Sequence, residues 1–227
     1  MSSFSEKLTL EILENTFSKA RIHPYIKHGY TPEQILESYH INIILSEAMI
    51  PSLHYLEICL RNKIDAIIKQ YFSQNWLLNI PDKLQIPKKG IRKIDETIEK
   101  FEREKKKTPN HDDLVAQMTF GFWCAFFHRK YDPIIWHRKH ALKTLCPNLP
   151  RVNRKRSYIE KQLLKIKDLR NRIAHHEPII NNHYDINEIH SLCHKLIKAF
   201  SADAFSFLQS IDNFPKVYKK HKSLIQN

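Results

Sequence analysis

The stretch Leu169-Arg170-Asn171-Arg172-Ile173-Ala174-His175-His176-Glu177-Pro178 reads as the last turns of a helix. Ile159, Leu163, Ile166 and Ile173 recur at helical spacing, and Pro178, with no N–H to donate and a ring that clashes with the preceding turn, must end the run. Arg170 falls about 40° from Ile166 at roughly 100° per residue. An always-charged guanidinium therefore stands on the face that should be buried, where it needs an acid, a water-filled cleft or an anionic ligand. Asn171 and His175, at i and i+4, share a face, so the amide can orient the imidazole; Arg172 and His176 form a second such pair. Arg170 and His175 lie about 140° apart on an ideal helix and flank a cleft. A histidine in a last turn stands at the negative end of the helix macrodipole, a place that suits a proton donor. An arginine for a phosphate oxygen and a histidine for proton transfer, with no obligatory metal, are the parts needed to cleave RNA through its own 2′-OH. The same residues also fit a structural role, with both histidines capping terminal carbonyls and Arg170 neutralised by Glu57 or Glu177.

Outward from this stretch the period stays helical. Ser52 to Phe72 carries Leu53, Leu56, Leu60, Ile64, Ile67 and Tyr71 on one face, with Glu57, Arg61 and Asp65 beside it at i, i+4 spacing. These charges form either a surface ladder or, for Glu57 and Arg61, part of the cleft under Arg170. Upstream, Thr31-Pro32-Glu33-Gln34 is a cap, a first-position proline and a capping box, and Pro51 is expected to kink or divide the helix it opens, with Ser52 capping the segment beyond. Further helices are expected over about Leu8 to Lys27, Ile91 to Lys106 and His111 to Phe127. Asp132-Pro133 starts another, and a last one begins at the Asp185-x-x-Glu188 box and runs past Phe207. The block Met118 to Trp123 is read as packing, with Thr119 its one polar candidate. From Pro215 on, Lys216, Lys219, Lys220 and Lys222 make a basic, frayed tail. Only 3 glycines and no long alternating apolar runs leave an all-α chain.

Lys+Arg of 37 against Asp+Glu of 24 gives a net charge of +13, which favours a polyanionic partner. Arg151, Arg154, Lys155 and Arg156 open the motif helix at an end where cations are unfavourable unless an anion is near, so they are the candidate RNA-guiding patch, with a solvated basic turn as the alternative. No signal-peptide pattern and no contiguous apolar run near the roughly 20 residues of a span are present, so a cytoplasmic protein with no membrane partner is expected. The 4 cysteines lack ligand spacing and are expected reduced. His190, Cys193 and His194, with His175, His176 and His183 before them, are soft donors, but a zinc site needs four that converge, and no metal or other cofactor is expected.

Arg170-Asn171-Arg172-Ile173-Ala174-His175 resembles the Arg-x4–6-His signature of HEPN domains. Leu169 to Ile179, together with Leu60-Arg61-Asn62 and Met118 to Trp123, resembles the Abi-like (abortive-infection) branch of that group, over about Arg21 to Phe200. The resemblance implies a HEPN-like helical bundle with additional N-terminal and inserted helices, in a single domain over 1–227: a core of 30–212, an N-terminal extension of 1–29 and the tail 213–227. It implies a metal-independent endoribonuclease that stops growth in antiphage defence. Arg170, Asn171 and His175 would be catalytic, and Arg172, His176, Glu57, Arg61 and Asn62 accessory. The implied partners are RNA, a second copy across a two-fold cleft, and a separate protein or RNA antitoxin. A non-catalytic HEPN module holding RNA or a partner helix is the alternative.

Overall fold

The computed structural model describes residues 8–180 and 185–225, and every regular element among them is helical. In chain order these are α1 (Leu10–Phe17), α2 (Lys19–Ile22), α3 (Pro32–Tyr71), α4 (Lys88–Lys105), α5 (His111–Gln117), α6 (Phe120–Ala125), α7 (Ala141–Leu145), α8 (Arg156–Ala174), α9 (Ile186–Phe200), α10 (Ala202–Gln209) and α11 (Phe214–Ile225), joined by 3-10 turns and one π-helical turn. The all-α expectation holds. The chain divides into two compact units, neither continuous in sequence: Met1–Pro51 with Asp168–Ser191 and Ile211–Asn227, and Ser52–Lys167 with Leu192–Ser210.

In the first unit the capping box at Thr31 forms as read, the Thr31 N–H donating to Gln34 Oε1 at 2.9 Å and the Gln34 N–H to Thr31 Oγ1 at 3.4 Å. Ile22 and Tyr25 are buried, and the Tyr25 ring meets Tyr39 of α3 edge-on at 5.4 Å, which seats the short α2. As far as the described residues go, the segment from Pro215 on is not a frayed tail: α11 carries it to Ile225. Phe214 is fully buried, its ring stacks 4.3 Å from His190 of α9, and His190 Nε2 lies 2.9 Å from Asp212 Oδ2.

The second unit buries the stripe Leu53, Leu56, Leu60, Ile64 and Ile67, as well as Ile159, Leu163 and Ile166 of α8. Its aromatic centre is Trp76, edge-on to Trp123 at 6.1 Å and to Phe126 at 5.8 Å. Burial pushes the Tyr131 hydroxyl up to about 12 and the Cys146 thiol likewise to about 12.

Several element ends differ from the reading of the sequence, each for a local reason. Pro51 does not divide its helix; α3 runs for 40 residues through it. An internal proline costs roughly 3 kcal/mol, but Leu45, Met49, Leu53 and Leu56 are buried on either side and hold the backbone helical. By length and composition α3 is the one described helix that could cross a membrane, and 39% of its most apolar stretch is buried. The segment from His111 to Phe127 breaks into α5 and α6, because the Thr119 hydroxyl accepts the Phe122 N–H at 3.3 Å and starts a new helix. Asp132–Trp136 is a π-helical turn, with the His137 N–H on the Asp132 carbonyl at 2.7 Å. The last predicted helix ends at Phe200, where Ser201 caps α10.

Candidate functional site

The candidate site occupies the C-terminal end of α8, inside the first unit. The helix keeps its backbone ladder as far as His175, whose N–H donates to the Asn171 carbonyl at 2.9 Å. Two further bonds close it: His176 N–H to the Ile173 carbonyl at 3.1 Å and Glu177 N–H to the Arg172 carbonyl at 2.8 Å. These are the 5→2 and 6→1 bonds of a Schellman turn, which makes His175 the C-cap and puts His176 at C′ in the left-handed region, with φ 56°. The helix ends before the proline because the turn completes itself in the residues ahead of it.

Along this end Asn171, His175 and His176 are exposed, while Arg170 and Arg172 are half-buried. Arg170 comes directly after buried Leu169 and one turn after buried Ile166, as its place on the stripe requires. Arg172 holds the turn: its Nη1 donates to the Pro178 carbonyl at 3.4 Å and stands 3.6 Å from Glu177 Oε2, and its Nε is 4.0 Å from Asp168 Oδ2. The carboxylates of Asp168, just before the motif, and of Glu177 within it thus both stand by Arg172.

Two residues outside the sequence reading also grip this turn. Arg21 of α2 donates from Nη1 to the carbonyl of His175 at 3.4 Å and to that of His176. Asn42 of α3, almost fully buried, accepts the Ile179 N–H at 2.7 Å and the Ile180 N–H at 3.4 Å on Oδ1. Beside them lies an open groove of about 550 Å³, lined by Tyr39, Ile43, Ile50, Ile173, Ala174 and His176. Ile43 and Ile50 are about half exposed there, at 47% and 50%.

The remaining sequence candidates lie in the second unit. Glu57 is half-buried and Asn62 exposed. Arg61 donates from Nη1 to the Ala116 carbonyl at 3.4 Å. Asp65, the end of the expected ladder, turns inward: Oδ1 accepts from Trp76 Nε1 at 2.8 Å and lies 2.7 Å from His111 Nε2, while Oδ2 meets Lys69 Nζ at 2.8 Å. Burial works against the Lys69 charge, but Asp65 and Asp112 together more than offset it and hold the ammonium above its usual range. The basic patch is not uniform. Arg154 is turned onto the carbonyls of Leu149 (2.6 Å) and Pro147 (3.2 Å), and Arg156 onto Asp132 Oδ1 (2.9 Å), the Phe127 carbonyl (2.9 Å) and Glu160. Arg156 thereby finds the anions that a cation at a helix N-terminus needs. Arg151 and Lys155 are exposed.

His183 lies outside the described residues. Among the described residues of the first unit, His190 Nε2 and Asp212 Oδ2 lie 2.9 Å apart, and a structural zinc site takes four convergent donors.

Residues 9–181, well over half of the chain and including the stretch before Thr31, match the family model described as Abi-like protein. No curated protein and no solved structure matches.

Proposed function

Since the chain belongs to the Abi-like protein family, we propose that it is a metal-independent RNA endonuclease of the HEPN kind, acting in abortive infection. The observation that carries the reading is the end of α8: exposed Asn171 and His175 stand one helical turn apart beside the half-buried Arg170. His175 is the proton-transfer group, Arg170 binds the scissile phosphate and its developing charge, and Asn171 fixes their geometry. The attacking nucleophile is the substrate's own 2′-OH, so the products carry 2′,3′-cyclic phosphate or 3′-phosphate ends. The engagement of Asp168 and Glu177 with Arg172 supports metal independence, because it draws these neighbouring carboxylates away from a Mg²⁺-holding role.

The working unit is a homodimer. Acid and base on opposite sides of a phosphodiester require two proton-transfer groups, and a two-fold axis supplies a second His175. The apolar groove with Ile43 and Ile50, running beside the motif, is the surface offered for this contact. RNA reaches the site with help from the net charge of +13, and a separate protein or RNA restrains the activity.

The test is cleavage of a ribo-oligonucleotide and its 2′-deoxy analogue in EDTA. Cleavage of the first alone, with cyclic-phosphate ends, is the expected result. Cutting of the deoxy analogue, or activity that returns only with Mg²⁺, contradicts the mechanism, and tight RNA binding without cleavage points to a non-catalytic module.

A further inference from the structure

Arg21 and Asn42 approach the turn after His175 from its two hydrogen-bonding sides. A helix C-terminus leaves its last carbonyls without intrahelical partners. Arg21 Nη1 supplies a donor to one of them, the His175 carbonyl at the C-cap, and to the His176 carbonyl just beyond it. The chain then needs acceptors for the N–H groups just beyond the turn, and Asn42 Oδ1 accepts those of Ile179 and Ile180. Both grips are themselves anchored. Arg21 precedes Ile22 and lies four residues before Tyr25, both fully buried, and Asn42 is only 4% exposed on α3. Ile179 and Ile180 are buried at 1% and 2%, so Asn42 is the answer to a desolvated backbone that has no water to turn to.

His175 needs such a hold. It is the C-cap, one residue past the last helical position, and its neighbour is in a left-handed conformation that side chains rarely adopt. An imidazole at a fraying end cannot keep the placement that proton transfer requires, and misplacement by about 1 Å can cost on the order of a hundredfold in rate. We infer that Arg21 and Asn42 are positioning residues for His175, clasping the motif turn from its carbonyl side and its amide side. The inference rests on the ribonuclease reading for its kinetic part, and on the hydrogen bonds alone for its structural part.

The charge on Arg21 invites a different role, as a further cation for the RNA backbone. The two roles separate kinetically: a positioning residue acts on kcat, whereas a remote phosphate contact acts on KM and on salt dependence.

The experiment compares wild type, Arg21→Ala, Arg21→Lys, Asn42→Ser and, as a charge control, Lys19→Ala. Lys19 is exposed on the same short helix, so its removal subtracts the same charge without touching the turn. Each is assayed for kcat and KM on an RNA oligonucleotide, with and without added guanidinium. Amide hydrogen exchange is measured at Glu177, Ile179 and Ile180. The expected result is a fall in kcat of about ten- to a hundredfold for Arg21→Ala and Asn42→Ser, with KM within about twofold and faster exchange across the turn. Guanidinium should restore part of the Arg21→Ala activity, Arg21→Lys should retain most of it, and Lys19→Ala should behave as wild type. A loss confined to KM, an equal loss in Lys19→Ala, or unchanged exchange at the turn overturns the clasp. If wild type cuts no RNA, the ribonuclease reading fails by itself, and the exchange comparison still decides whether the clasp exists.

Discussion

His176 holds φ at 56°, a region that costs an L-residue about 1–2 kcal/mol and that helix ends usually give to glycine. His176→Gly is therefore expected to stabilise the protein by about 0.5–1 kcal/mol after the added unfolded-state entropy is subtracted, and to leave RNA cleavage intact. Thermal melting and a cleavage assay check both halves. A glycine variant that melts higher but no longer cuts would make His176 the proton-transfer residue in place of His175. At this scale the sequence revealed whatever depends on short spacing. Arg170, Asn171 and His175 could be placed on their faces because a helix repeats every 3.6 residues. Arg21 and Asn42 could not, since they reach the motif turn from 154 and 137 residues away, and nothing in a single chain's spacing links an arginine in a four-residue helix to a carbonyl so distant. The inward turn of Asp65 was hidden for the same reason: its partner Lys69 was within helical reach, but His111 and the Trp76 indole were not part of any periodic pattern.

The start of α8 shows how an element divides a charge cluster. Four basic residues in six positions read as one patch, whereas the fold gives two of them to structure and leaves two facing solvent. Arg156→Ala is expected to destabilise by about 3 kcal/mol, because it strands the partly buried carboxylates of Asp132 and Glu160 and the Phe127 carbonyl. Arg151→Ala and Lys155→Ala should leave stability within about 0.5 kcal/mol, while each lowers the salt slope of RNA binding by about 1. Denaturant melts alongside titrations at several salt concentrations separate the two classes. Helix existence was legible from apolar period and capping residues, as at Thr31. Interior breaks were less so: Pro51 signals an end that burial on both sides overrides, and Thr119 and Ser201 start new helices inside patterns that looked continuous. Propensity is a local prior, and the burial that overrules it is decided by residues far along the chain.

For the whole molecule, burial sets an alkaline limit. The Cys146 thiol is raised by burial from 9.0 to about 12, so between these values the native state keeps a proton that the unfolded chain has lost. Stability is then unaffected below pH 9 and falls as pH rises from 9 towards 12. Tyr131, raised by burial from 10.0 to about 12, adds a loss of the same sign over the upper part of the window. Urea melts near pH 8 and near pH 11 check this, and Cys146→Ser should reduce the slope. The proposed two-fold contact makes a further demand: Ile43→Asp with Ile50→Asp should yield a folded monomer that has lost most cleavage, as read by sedimentation and assay together. The central claim is that the end of α8 is a ribonuclease site, and the most direct measurement incubates purified wild type and His175→Ala with a mixed RNA pool in EDTA. Wild type is predicted to cut, leaving cyclic-phosphate ends, while a fully folded His175→Ala protein leaves the RNA intact. Equal cutting by both, or by neither, contradicts it.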